Sequence, residues 1–251
     1  MLLYRYRSAS KYNLDALENN SINGSLFRVF NDGTELNLDI SKSYMKKRGL
    51  PESRKQSLIK SLIENIRDNY YLACFTEASP FNSQEMWSTF ANNGDGYCIE
   101  YSSDDIMAAL VEKGLSVNSI RPVLYNKKPF YLDDIIDCFF FNHDVFKEIK
   151  NGNLDGAIEK VPELIKAQVI EILLNKVNKC RKEKEYRLIF QRIAPSGEKN
   201  LDFDPSLLRV KPKSIIVPKR LNILTQSRLI SYAEKQGVDY SLVEAPLTAI
   251  V

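Results

Sequence analysis

Leu2-Leu3-Tyr4-Arg5-Tyr6-Arg7 alternates as a short strand. A strand turns successive side chains to opposite faces, so Tyr4 and Tyr6 share one face and Arg5 and Arg7 the other. The same period recurs at Glu185–Ile193, where Tyr186, Leu188 and Phe190 oppose Glu185, Arg187 and Gln191. Leu72–Thr76, Tyr97–Tyr101, Ser214–Val217 and Val238–Val243 add further strands, and Ser25–Phe30 is predicted as another. Between them, helical spacing is predicted for Lys11–Asn19 behind a Ser10 cap, Pro51–Tyr71, Gln84–Ala91 and Thr225–Gln236, the last closed by Gly237. The stretch 129–179 also reads as helical, broken at Asn151-Gly152-Asn153 and at Pro162, which suits the first turn of a helix. Strands and helices interleave without repeats or low-complexity linkers. The expectation is one α+β domain over 1–251, with twisted, mostly antiparallel sheets around a central cleft flanked by helices and a helical insertion near 129–180.

Composition fits that reading. The 251 residues are 44% hydrophobic and 27% charged, ordinary for a globular chain, and no run of apolar residues is long enough to span a bilayer. The opening MLLYRYRS lacks the apolar core of a secretory signal, so a cytoplasmic protein with no membrane partner is expected. Thirty-five basic against 32 acidic side chains give a net charge of +3, too little to argue for nucleic acid by itself. Cys74, Cys98, Cys138 and Cys180 form no CxxC pair and are expected as reduced thiols. His143 is the only histidine, which excludes a three-histidine metal site and leaves no expected metal. No glycine-rich phosphate loop occurs.

Three polar-aromatic blocks remain as candidate chemistry. Arg5 and Arg7, projecting from one strand face, form an anion clamp, because guanidinium pairs in bidentate fashion with phosphate or carboxylate. Trp87, in Met86-Trp87-Ser88, offers a ring for stacking on a base or nicotinamide, against the simpler reading as core. Glu183 and Glu185, two apart at a strand start, form a carboxylate pair of the kind glycosidic-bond chemistry uses to stabilise a cationic sugar and orient a nucleophile. Arg187 on the same face would keep Glu185 ionised. The alternative is a solvated charge run through KCRKEKEYR.

In chain order, Leu3-Tyr4-Arg5-Tyr6-Arg7-Ser8, Phe30-Asn31-Asp32, Cys74-Phe75-Thr76-Glu77, Met86-Trp87-Ser88, Gly96-Tyr97-Cys98-Ile99-Glu100-Tyr101 and Glu183-Lys184-Glu185-Tyr186-Arg187 resemble the bacterial family catalogued as domain of unknown function 2971. The resemblance runs from Leu3 to about Val243. Its layout is in turn similar to ADP-ribosyltransferases of the toxin and nucleic-acid-modifying kind, which open on a strand whose Arg or His grips NAD and end on one carrying a catalytic glutamate. That similarity implies an ADP-ribosyltransferase-like fold and an NAD-consuming enzyme, a toxin or anti-phage effector acting on a nucleic-acid or protein acceptor, with a defence-system partner protein. Arg5, or Arg7, would take the first role, Glu185 the last, and Glu183 the first place of Glu-x-Glu. NAD would then lie against Tyr4, Arg5, Tyr6, Arg7, Asn31, Asp32, Trp87, Tyr97 and Arg187. Two other readings stand beside it. One is a nuclease or nucleic-acid-binding protein using Arg5, Arg7, Lys179, Arg181, Lys182 and Lys184 on phosphates, with Asp32, Glu100 and Glu185 about a metal. The other is a non-enzymatic sensor in which the charges are structural.

Overall fold

A computed structural model describes residues 1–30, 35–114, 120–141, 162–191 and 208–244. In chain order the elements are β1 (Leu2–Ser8), α1 (Lys11–Glu18), β2 (Ser25–Leu26), β3 (Leu38–Asp39), α2 (Lys42–Arg48), α3 (Glu52–Asn69) and β4 (Tyr70–Thr76). Next come α4 (Gln84–Phe90), β5 (Gly96–Ser102), α5 (Ser103–Glu112), β6 (Ile120–Pro122), β7 (Leu124–Asn126), β8 (Phe130–Tyr131) and α6 (Asp133–Phe141). The chain continues through α7 (Pro162–Leu173), β9 (Asn175–Val177), β10 (Glu185–Gln191), β11 (Ser214–Pro218), α8 (Ile223–Gln236) and β12 (Asp239–Val243).

The architecture is α+β around a mixed, mostly antiparallel sheet of eight strands. Its order is β12-β11-β5-β1-β4-β10-β6, with β2 also on β4. β1 runs antiparallel to β5 with Arg5 opposite Ile99 and Arg7 opposite Tyr97. β11 and β12 are parallel and joined through α8, which carries an Asn222 cap on the Leu224 N–H and ends at left-handed Gly237. Gly96 is required at the start of β5: a Cβ there would lie 2.2 Å from the Arg7 carbonyl oxygen, so only glycine admits so close an approach of β1.

Contacts divide the chain into two compact units. The first comprises Met1–Ser25, Leu72–Pro122 and Lys182–Val251, and the second Leu26–Tyr71 and Val123–Arg181. The expected insertion near 129–180 falls in the second unit, which also takes in α2 and α3. There β7 pairs with β9 and β3 with β8, both parallel. Ser41 caps α2, and Tyr44 and Arg48 both donate to the Asp137 carboxylate of α6, each at 2.6 Å.

Several elements depart from the sequence reading. Ser25–Phe30 is a strand only at Ser25–Leu26 and then a 3-10 turn over Phe27–Val29. That turn carries residues i and i+3 to one side, which stacks the Phe27 and Phe30 rings at 5.4 Å. The helix expected to Tyr71 stops at Asn69, because buried Tyr70 and Tyr71 open β4. The helical reading of 129–179 is interrupted at both ends: Phe130–Tyr131 and Asn175–Val177 are strands. The break expected at Asn151-Gly152-Asn153 lies outside the described residues.

Candidate functional site

The first unit gathers Tyr4, Arg5, Tyr6 and Arg7 on β1 and Glu185 and Arg187 on β10, the two strands on either side of β4. β1 and β10 flank β4, so their backbones run about 10 Å apart at ordinary strand spacing.

Arg5 is the most unusual of them. It is 5% exposed, its Nη2 donates to the Asn23 carbonyl, and its guanidinium carbon lies 5.5 Å from the centre of the Phe75 ring. Among the described residues no carboxylate pairs with it. Burial first, then the neighbouring Arg7, lowers its pKa to about 10. Arg7 is half-buried and donates to the side-chain oxygen of Asn13. Asn13 is oriented in turn by its amide nitrogen, which donates to the Ser8 carbonyl at 2.9 Å and the Ser8 hydroxyl at 3.0 Å. Ser21 and Asn23 are both buried, and Ser21 Oγ and Asn23 Oδ1 have no hydrogen-bond partner among the described residues. Among the described residues, these two cations on one sheet face therefore have only neutral hydrogen-bond partners.

The aromatic candidates are placed differently. Tyr97 shares the arginine face but is fully buried, with its hydroxyl donating to the Asn13 carbonyl at 2.8 Å. Tyr6 lies on the other face, edge-on to Trp87 at 5.1 Å. Trp87 is fully buried, donates Nε1–H to the Pro80 carbonyl at 2.7 Å, and packs with Tyr6, Met86, Ala91, Cys98 and Ile216. Tyr4 is half-buried on that same face opposite Glu100, and burial followed by the Glu100 carboxylate pushes its pKa up to about 12. The sheet thus separates Arg5 and Arg7 from Tyr4, Tyr6 and Trp87. Asn31 and Asp32 lie outside the described residues.

Glu185 opens β10 at 6% exposure, and Arg187 is fully buried. They meet in a fork: Nε to Oε1 at 2.8 Å and Nη2 to Oε2 at 3.2 Å. Two residues apart on a strand, they share a face. Glu183 is half-buried at the end of the 3-10 turn Asn178–Glu183. Lys184, between the two glutamates, has a φ of 44°. The end of β4 holds this corner. The Thr76 hydroxyl donates to the Glu183 carbonyl, the Glu77 N–H donates to the Lys184 carbonyl at 3.2 Å, and the Tyr186 hydroxyl donates to the Glu77 carboxylate at 2.7 Å.

Lys179, Arg181, Lys182 and Lys184 are all exposed. Among the described residues no cluster of three or more His, Cys, Asp or Glu side chains could hold a metal ion, and no helix is long and apolar enough to cross a membrane. His143 lies outside the described residues.

Sequence reasoning missed Asn13, Ser21, Asn23 and Thr76. Asn13 reads as an ordinary helix position, and the Asn23 contact is a backbone carbonyl that no side-chain pattern encodes. Thr76 and Glu77 stood in a quoted block without a role.

Residues 86–188 match the model of a family described as a protein of unknown function, DUF2971. The matched span runs from α4 through Leu188 and includes Glu183, Glu185 and Arg187. No curated protein and no solved structure shows a significant match to the chain.

Proposed function

We propose that this chain is an NAD-consuming, ADP-ribosyltransferase-like enzyme in which Arg5 and Arg7 take the diphosphate and Glu185 serves the transferring ribose. The observation that carries the reading is Arg5: a buried guanidinium beside a second arginine, with no carboxylate partner among the described residues. Burying an uncompensated charge is costly, and a polyanionic ligand supplies the missing counter-charge. Half-buried Arg7 marks the side from which such a ligand reaches the pair.

In the proposed reaction the bond between nicotinamide nitrogen and ribose C1′ breaks, and nicotinamide leaves with the bonding pair. The sugar carbon becomes cationic, and the Glu185 carboxylate stabilises that charge in a site with little water. The acceptor attacks C1′ and loses its proton, with Glu183 placed to orient or accept it. Arg187 holds both oxygens of Glu185 in their buried position. Tyr97, on the arginine face, holds the Asn13 carbonyl from within the core.

The test is release of nicotinamide from NAD by the purified chain, alone and with RNA, DNA or cell lysate as acceptor, followed by mass measurement of the acceptor. Nicotinamide release that disappears in Arg5→Met and Glu185→Gln supports the reading. Binding or shortening of nucleic acid without nicotinamide release points to the nucleic-acid alternative. No binding of NAD or pyrophosphate removes the proposal.

A further inference from the structure

Lys184 is a lysine in the left-handed region, a conformation that L side chains adopt only at a cost. Its side chain is exposed, so packing of the lysine itself does not account for that geometry. The backbone on either side accounts for it. Thr76 is 1% exposed at the end of β4, and its hydroxyl is used twice. It donates to the carbonyl of Glu183 and accepts the N–H of Ala78 at 2.8 Å. The next residue, Glu77, gives its N–H to the carbonyl of Lys184. The carbonyls before and after the φ of Lys184 are thus both tied to one strand end. Strain that the surroundings hold in place is what a site requiring fixed geometry uses.

We propose that Thr76 is a positioning residue. Its hydroxyl, with the Glu77 amide, locks Lys184 in the left-handed conformation and so sets the directions in which Glu183 and Glu185 leave the chain. This rests on the reading of Glu185 as the carboxylate that meets the transferring ribose. A threonine is suited to the task because it is β-branched, hence stiff on a strand, and carries both a donor and an acceptor. Valine fills the same space with neither.

The experiment compares nicotinamide release and thermal denaturation for the full chain and three variants. Thr76→Val is expected to lower kcat about tenfold to a hundredfold, the cost of misplacing a catalytic group by a fraction of an ångström to an ångström, with KM for NAD unchanged. Thr76→Ser, which keeps the hydroxyl, is expected to retain most of the activity. Lys184→Gly relieves the backbone strain, so its melting temperature is expected to hold or rise while kcat falls. A purely structural corner does not produce that opposition of stability and turnover. An active wild type whose Lys184→Gly is at least as stable and fully active overturns the positioning role, even if Thr76→Val fails to fold. A wild type that neither binds NAD nor releases nicotinamide overturns the reading of Glu185, and the positioning role falls with it.

Discussion

Replacing Arg5 by methionine separates an arginine kept for a ligand from one kept for the fold. Methionine occupies a similar space without charge or donors. Burial brings the guanidinium down to about 10, and at about 1.4 kcal/mol per tenfold change in protonation this amounts to about 3 kcal/mol against the charged form. The folded-state value is depressed, so this cost is fully present at neutral pH, where Arg5 is charged folded and unfolded. It fades only as pH rises from about 10 toward the unfolded value. Arg5→Met removes it. Against that gain stand the Asn23 carbonyl, left without its donor at a cost of about 1–3 kcal/mol, and the contact with Phe75, worth roughly 1 kcal/mol. The opposing contributions nearly cancel. The expected change in stability is within about 1 kcal/mol, or roughly 2–4 °C in melting temperature for a chain of this size. A guanidinium locked into a structural ion pair would instead cost about 3–5 kcal/mol on removal. The assay is thermal denaturation with and without NAD or pyrophosphate. Ligand at about a hundred times its Kd stabilises the wild type by about 2.7 kcal/mol, and Arg5→Met should lose that increment. A fall in melting temperature beyond about 10 °C without ligand, or an undiminished ligand shift, refutes the reasoning.

Glu185→Gln should lower turnover roughly 10²–10³-fold with little change in NAD affinity, read by steady-state kinetics. It also deprives buried Arg187 of its carboxylate fork, so chemical denaturation should show a loss of about 3–5 kcal/mol that Glu185→Gln/Arg187→Met partly recovers. Gly96→Ala forces a Cβ against the Arg7 carbonyl and should destabilise the fold by about 1–3 kcal/mol, with reduced soluble yield as a second readout. Burial raises the phenols of Tyr70 and Tyr101 to about 12, so the folded state keeps protons that the unfolded chain gives up. Stability should therefore fall as pH rises from about 10 to 12, and ultraviolet titration should place these tyrosines above the exposed ones.

The large strands of the sheet were legible because each is either an alternating stretch or a short, nearly continuous buried run, as in β4, β5 and β11. β1, β10 and β12 alternate in sequence, and the Ser10 hydroxyl and the left-handed freedom of Gly237 mark the ends of α1 and α8. Strands of two or three residues, such as Leu124–Asn126 and Asn175–Val177, carry too few positions to show a period. Their identity comes from pairing with each other across about fifty residues of chain. The α2 helix escaped the reading because its seven residues bury only Tyr44 and Met45, too little to make a stripe. At the site, the shared face of Arg5 and Arg7 follows from the strand period alone. Which aromatic residues lie on that face does not, since Trp87 reaches the Tyr6 side only through the placement of α4 against β1.

Arg5 and Arg187 are the same residue type, both buried, in strands that flank the same neighbour, yet their electrostatic situations are opposite. Arg187 has a carboxylate two residues away on its own strand and meets it through both arms of the guanidinium. Arg5 has another arginine two residues away, a carbonyl, and an aromatic ring. A fold that needed only a buried spacer at position 5 would do as well with methionine or leucine, which avoid the desolvation cost. On the proposed reading, the charge at Arg5 is met by an anionic ligand, since no carboxylate among the described residues pairs with it. On that reading the ion pair on β10 keeps a negative group in place, while the arginines of β1, with no carboxylate partner among the described residues, take theirs from the ligand. Those are the opposite requirements of a sugar becoming cationic and a diphosphate that is already anionic.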